Sequence, residues 1–204
     1  VKFGLGEEYL DKIPNNVDYI FKTPGIRYDI PQIIDKIEKG AKLSSEMNLF
    51  FDLCPVPVIA VTGSDGKTTT TTLISELLKK EGFVCHTGGN IGTPLVDKTE
   101  EIKPDDKVVL ELSSFQLHTI NKCPKIAVVT NVTPNHLDWH TDLKEYENAK
   151  KNIFLNQDDD GITVLNYDNE VTKNFAAETK KHIFFSRKHN LENGICLIEN
   201  NIVL

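Results

Sequence analysis

The stretch VTGSDGKTTT, Val61 to Thr70, decides the fold. Ahead of it, Val56, Val58, Ile59, Ala60 and Val61 make an apolar, β-branched run of strand length. Behind it, Leu73, Ile74, Leu77 and Leu78 recur at helical spacing, Lys79 and Lys80 suit a last turn, and Gly82 suits the C-terminal cap. The stretch therefore joins a strand to a helix N-terminus. Gly63 and Gly66 let backbone N–H groups turn toward one point, where the helix dipole adds partial positive charge. That combination reads as a phosphate cradle built from Gly63, Ser64, Asp65, Gly66, Lys67, Thr68 and Thr69. Lys67 is placed to reach the outer phosphates and the Thr68 hydroxyl to reach a magnesium ion. Val61 stands where the longer P-loop pattern has glycine, so the match is to the shorter form GxxGKTT. A plain glycine turn capped by threonines is the bland alternative.

The chain of 204 residues, 39% hydrophobic, can bury a real core and reads as one full domain plus part of another. Its formal charge of −7 opposes a nucleic-acid partner, whose phosphates would be repelled. Cys54, Cys85, Cys123 and Cys196 are scattered and form no CxxC pair, so reduced thiols in a cytoplasmic setting are expected. No apolar stretch approaches membrane-spanning length, so no membrane insertion is expected. The start at Val1 and the end in Ile202-Val203-Leu204 read as those of a piece of a longer protein.

Along the chain, an amphipathic helix is predicted over Pro31 to Lys39, ended by Gly40, after the turn Thr23-Pro24-Gly25. Pro55-x-Pro57 reads as a linker, giving a first unit over 1–55 and a second over 56–204. Strands are predicted at 56–62, 83–86, 107–112, 126–131, 162–166 and 183–185, with helices to about 81 and over 143–154, and a terminal hairpin from Ile195 to Leu204. Such alternation predicts an α/β fold with a mostly parallel sheet flanked by helices.

Ligand sites in open parallel sheets lie beyond the strands' C-terminal ends. There the sequence places Glu111-Leu112-Ser113-Ser114-Phe115-Gln116-Leu117 and Asn131-Val132-Thr133-Pro134-Asn135-His136-Leu137-Asp138. Glu111 could supply the carboxylate that a P-loop magnesium commonly takes besides its threonine; a solvated acid at a strand end is the alternative. His136 and His140, four apart, invite a zinc reading, but an HExxH glutamate is missing and Pro134 disfavours a helix there. His136 alone is a candidate metal ligand or proton carrier, against a purely structural role. Asp142 and Glu145 read as an N-cap and its third helical residue. Leu143, Tyr146, Lys150 and Ile153 then share one face, which puts Lys150 in the apolar stripe, either buried or snorkelling outward.

Together the phosphate loop, Gly88-Gly89-Asn90-Ile91-Gly92, Glu111 to Leu117, Asn131 to Asp138 and Tyr146-x-x-Ala149-Lys150 resemble the Mur ligase family from about residue 20 through 155. ELSSFQL and GGNIG favour its D-glutamate-adding branch over the sister ligases. Thr23-Pro24-Gly25-Ile26 resembles the family's first-domain loop near a UDP diphosphate. Asp65 departs from the frequent asparagine, and Ser45 and Asn48 from a usual glycine and acid; an Asp65 carboxylate is expected to face solvent or a basic partner.

The resemblance implies a monomeric enzyme in which ATP activates UDP-N-acetylmuramoyl-L-alanine for attack by D-glutamate. It implies Lys67, His136 and Lys150 as catalytic residues, and Thr23, Gly25, Asn90, Ser113 and Gln116 as substrate-binding groups. One magnesium ion would be held by Thr68 and Glu111, a second by His136 and a carbamylated Lys150. It also implies that the opening part of a UDP-binding domain and a whole C-terminal amino-acid domain lie outside the chain. A folylpolyglutamate synthetase-like ligase shares the phosphate loop but not ELSSFQL. A nucleotide-binding switch or kinase would need neither His136 nor a buried Lys150, and a non-catalytic nucleotide-binding module is the third alternative.

Overall fold

The computed structural model describes residues 3–204. Two short parallel strands, β1 (Tyr19–Phe21) and β2 (Lys42–Ser44), flank helix α1 (Pro31–Glu38). Pro31 opens α1, where its missing N–H costs nothing, and Gly40 follows it at φ +101°. Helix α2 (Glu46–Leu53) is capped by Ser45, whose side chain accepts the Asn48 N–H. The Asn48 side chain donates to the Thr119 carbonyl (3.0 Å) and accepts the Asn121 N–H (3.1 Å). Of the two unusual residues of this segment, Ser45 thus caps α2 and Asn48 ties it to the larger unit. Met47 and Phe50 of α2 lie in the same hydrophobic cluster as Val56 and Val58, so the chain before and after the exposed Pro55 shares one core.

The large sheet contains β3 (Val58–Thr62), β4 (Cys85–Gly89), β5 (Lys107–Glu111), β6 (Ile126–Val129), β7 (Ile162–Asn166), β8 (His182–Ser186), β9 (Gly194–Ile198) and β10 (Asn201–Val203). Their order is β10-β9-β8-β7-β6-β3-β5-β4, parallel throughout except for β10 against β9. The predicted terminal hairpin is present, turned by Glu199 and Asn200 at positive φ. The central strands are apolar on both faces because helices cover both: Ala60, Val61, Val108, Val109, Leu110, Ala127 and Val129 are fully buried. Each such valine or leucine contributes roughly 1.5–3 kcal/mol of burial.

The connecting helices are α3 (Lys67–Lys80), α4 (Ser114–Leu117), α5 (Leu143–Lys151) and α6 (Glu170–Phe175). Helix α5 stops at Lys151, three residues short of the predicted end. The leucines of α3 do not mark its buried face. Leu73 and Leu77 are 58% and 63% exposed, whereas Thr71 and Ser75 are buried. Small side chains let α3 lie close on β4, with Ser75 Oγ 2.8 Å from Thr87 Oγ1. Among the described residues no helix is long and apolar enough to cross a membrane. All four cysteines are free, and burial raises the thiol pKa of Cys54 and pushes that of Cys123 up to about 11.

Candidate functional site

Strand β3 lies between β5 and β6, where the chain crosses from one side of the sheet to the other, and the loop after it opens at that switch point. Gly63 takes φ +151°, and a side chain there would collide with the Thr130 hydroxyl. Gly66 takes φ +78° immediately before α3. The N–H groups of Gly66, Lys67, Thr68 and Thr69 open the helix without partners from a preceding turn, which suits an anion.

The loop is locked from the β6 side. Ser64 N–H donates to the Asn131 carbonyl (2.9 Å) and Asp65 N–H to Asn131 Oδ1 (3.0 Å). Asn131 Nδ2 (3.1 Å) and the Thr130 hydroxyl (2.7 Å) both donate to the Asp65 carbonyl. The Ser64 hydroxyl donates to the Thr133 carbonyl, accepts the Thr133 N–H and lies 2.9 Å from the Tyr146 hydroxyl. Ser64, expected to line the cradle, instead has both its N–H and its side chain engaged in holding the loop. The Asp65 residue is exposed, as expected for an acid that must not face phosphate.

Lys67 folds back onto the carbonyls of Gly63 (3.0 Å) and Ser64 (2.9 Å). The Thr68 hydroxyl donates to Glu111 Oε2 at 2.7 Å, and Asn90 Nδ2 to Glu111 Oε1 at 2.8 Å. Glu111 is buried at the end of β5, which replaces the solvated-acid alternative. Gly89 at φ +95° brings the GGN turn against the Glu111 backbone, and Asn90 N–H donates to the Glu111 carbonyl.

Lys150 is 1% exposed and donates to the Gly63 carbonyl at 2.8 Å. The snorkelling alternative is therefore excluded. Burial, followed by the nearby Lys67 ammonium, pulls its pKa down to about 7. Tyr146, one helical turn earlier, belongs to the apolar stripe and to the Tyr146-x-x-Ala149-Lys150 motif, neither of which gives its side chain a role at the site. Its ring centre lies 4.5 Å from Lys150 Nζ and 6.4 Å from the His136 ring, while its hydroxyl reaches Ser64. Tyr146 thus connects three of the candidate residues, a role that its four-residue spacing from Lys150 could have suggested.

His136 is exposed, with backbone φ +54°, and its ring packs edge-on to Phe115 at 4.9 Å. His140 points elsewhere. It is buried, with Nε2 3.0 Å from Ser114 Oγ and Nδ1 3.7 Å from Glu145 Oε2, and burial pushes its pKa down to about 4. The two histidines do not form a zinc pair. His118, His140 and Glu145 do cluster closely enough for a metal, but the Arg27 guanidinium already donates to Glu145 Oε1 at 2.9 Å. A resident cation there repels a second one.

Ser113 and Gln116 form a capping box on α4: Gln116 Oε1 accepts the Ser113 N–H and hydroxyl, and Ser113 Oγ accepts the Gln116 N–H. Their three-residue spacing thus has a local structural reason. Thr23 and Gly25 lie exposed on a turn closed by Ile26 N–H to the Thr23 carbonyl.

A strand, a glycine-turned phosphate loop and a helix at the switch point of a parallel sheet define the chain as a P-loop-type α/β protein. The chain belongs to the Mur ligase family, whose "Mur ligase middle domain" matches residues 61–197. It is 56% identical over 204 residues to the UDP-N-acetylmuramoylalanine--D-glutamate ligase of Acetivibrio thermocellus, covering 100% of this chain and 44% of that protein. It is 53% identical over 205 residues to the ligase of the same name from Ruminiclostridium cellulolyticum, with 100% and 44% covered. The chain spans less than half the length of these curated relatives. Among solved structures, MurF ligase from Thermotoga maritima in complex with ADP superposes with a TM-score of 0.56 at 19% identity, over 77% of this chain and 44% of that one. The UDP-N-acetylmuramate:L-alanyl-gamma-D-glutamyl-meso-diaminopimelate ligase from Neisseria meningitides gives 0.61 at 16% identity, over 92% and 64%. These likenesses are of fold.

Proposed function

We propose that the chain is the nucleotide-binding part of a cytoplasmic, monomeric ligase that uses ATP to join D-glutamate to UDP-N-acetylmuramoyl-L-alanine. Residues 1–55 belong to its UDP-binding domain and 56–204 to its ATP-binding domain. The observation that carries this reading is convergence: Lys67 and buried Lys150 both donate to the Gly63 carbonyl at the mouth of β3, and the Thr68–Glu111 pair forms at the start of α3, the helix that the same loop opens. The relatives' name supplies the substrates.

In this reading the ATP γ-phosphate passes to the substrate carboxylate, giving ADP and an acyl phosphate. The D-glutamate amine then attacks the acyl carbon and phosphate leaves as the amide forms. Bringing a carboxylate to about 4 Å from a triphosphate costs several kcal/mol at an effective dielectric of about 20. Lys67 offsets part of that by leaving its loop carbonyls for the phosphates, and the α3 N-terminus contributes its dipole. Two magnesium sites fit the donors on chemical grounds. The Thr68 hydroxyl and Glu111 carboxylate are hard oxygen donors side by side, and His136 and Lys150 flank Tyr146. Magnesium, when bound, would neutralise phosphate charge and polarise the transferring group. Lys150 would serve a magnesium ion as a carbamate, since an ammonium offers no lone pair and a hard cation prefers oxygen; its lowered pKa supplies the neutral amine that CO₂ requires. Asn90, Ser113, Gln116, Thr23 and Gly25 would position the UDP-linked substrate.

Calorimetric titration of the chain with magnesium–ATP and with UDP-N-acetylmuramoyl-L-alanine tests the reading. Saturable binding of both, with nucleotide affinity lost in Lys67→Ala at an unchanged melting curve, is expected. Binding of nucleotide alone leaves a nucleotide-binding module, and binding of neither refutes the proposal.

A further inference from the structure

Arg27 lies far in sequence from every residue assigned to the nucleotide, yet its side chain meets the segments that carry two of them. Its NH1 donates to the Trp139 carbonyl at 2.9 Å. NH2 donates to Glu145 Oε1 at 2.9 Å, and NH1 reaches Glu145 Oε2 at 3.4 Å. Asp29 accepts from Nε and NH2 at 2.9 and 2.7 Å, which fixes the guanidinium plane from its own turn. The guanidinium also lies over the Trp139 ring, 5.0 Å from its centre. Trp139 reciprocates, with Nε1 donating to the Gly25 carbonyl at 3.2 Å. The Thr23–Asp29 turn and the His136–Glu145 segment therefore grip each other.

What they grip matters. Trp139 and His140 close a turn on the His136 carbonyl, at 3.2 and 3.0 Å, and this turn keeps His136 in a left-handed backbone conformation that side chains other than glycine rarely adopt unaided. The Trp139 ring packs on Phe115, as does the His136 ring, each at 4.9 Å. Glu145 stands in the first turn of α5, the helix that delivers Lys150. One guanidinium thus spans the joint between His136 and Lys150. Only the planar fork of arginine can serve a carboxylate and a carbonyl at once in this way.

We propose that Arg27 is a positioning residue that sets His136 against Lys150, so that the second magnesium site depends on the N-terminal turn. The proposal rests on the reading of His136 and Lys150 as magnesium-facing residues. It is tested by calorimetry of the 204-residue chain with a non-hydrolysable ATP analogue, in magnesium and in chelator, for wild type, Arg27→Ala, His136→Ala and the double variant. Arg27→Ala should lose about tenfold of the magnesium-dependent affinity while keeping its affinity in chelator, and should lose nothing further in the His136→Ala background. If Arg27→Ala does not fold by its melting curve, Trp139→Phe, which keeps an aromatic ring but loses the bond to Gly25 and part of the surface under the Arg27 guanidinium, takes its place in the cycle with an expected loss of about threefold. An unchanged magnesium dependence in the Arg27 variant, or a full loss repeated in the His136→Ala background, overturns the proposal alone. If His136→Ala leaves magnesium dependence unchanged, the magnesium-facing reading fails and the proposal fails with it.

Discussion

Lys67 and Lys150 aim their ammonium groups at one carbonyl, that of Gly63, from 3.0 and 2.8 Å. Burial, and after it the repulsion between two cations that share an acceptor, lowers the Lys150 pKa. Its pKa of about 7 lies below the ordinary lysine value, so between the two the unfolded chain holds a proton that the folded chain does not. Stability should therefore rise with pH from about 7 to 10. Lys150→Met removes this penalty: it should stabilise the fold at pH 7 by up to about 4 kcal/mol, less what the lost bond to Gly63 contributed, with the gain falling away toward pH 10.5. Melting curves of both proteins across that range check it.

The same depressed pKa makes Lys150 the lysine best suited to carry a carbamate. Only the neutral amine attacks CO₂, and the carbamate formed is an anion beside the Lys67 ammonium. Carbon-13 spectra in labelled bicarbonate should show one carbamate signal that is absent from Lys150→Met, grows on adding magnesium and fades as the pH is lowered. A signal that persists in the methionine variant places the modification elsewhere.

Gly89 provides a test of the strand-end geometry. It sits at φ +95° with its α-carbon against the Glu111 backbone, so an alanine there clashes with main chain that cannot swing away. Gly89→Ala should cost about 3 kcal/mol or more in chemical denaturation, combining a left-handed backbone with overpacking. Gly82, at φ +92° with open space around it, provides the contrast: Gly82→Ala should cost about 1 kcal/mol.

The strand, phosphate loop and helix from Val58 to Lys80 were legible in the sequence because each local signal there agrees with its neighbours: an apolar run, then glycines, then a helical period. Lys150 was legible because one polar residue in an apolar stripe breaks the pattern. The strand order was not, since the alternation of strands and helices leaves open on which side of β3 each later strand adds. Nor was the buried face of α3, where Thr71 and Ser75 give a close approach that periodicity of leucines cannot reveal. Arg27 was invisible for a different reason. Its partners Trp139 and Glu145 lie more than a hundred residues away, and only the packed chain brings them together.

The joint around Glu145 should open in acid. His140, with its side chain buried between Ser114 and Glu145, stays neutral down to about pH 4, against an ordinary value of 6.5. Burial is the main cause, partly opposed by the Glu145 charge. As pH falls through that window the unfolded chain takes up a proton and the folded chain does not, so stability declines, by up to about 3 kcal/mol in all. Glu145 acts in the same direction at lower pH. Burial works against its carboxylate, but bonds from Arg27, Thr141 and His118 hold its pKa below the usual range. Its contribution is complete above its unfolded pKa of about 4.3 and is lost as pH falls further. Trp139 is the single tryptophan of the chain and stands against both Arg27 and His140, so its fluorescence reports this joint directly. Urea denaturation followed by that fluorescence should show stability falling from pH 6.5 to 4 in the wild type. His140→Phe, which keeps an aromatic ring against Phe115 and cannot titrate, should flatten that decline and leave the steeper loss below pH 4 intact. An equal slope in both proteins between pH 6.5 and 4 would show that protons enter elsewhere.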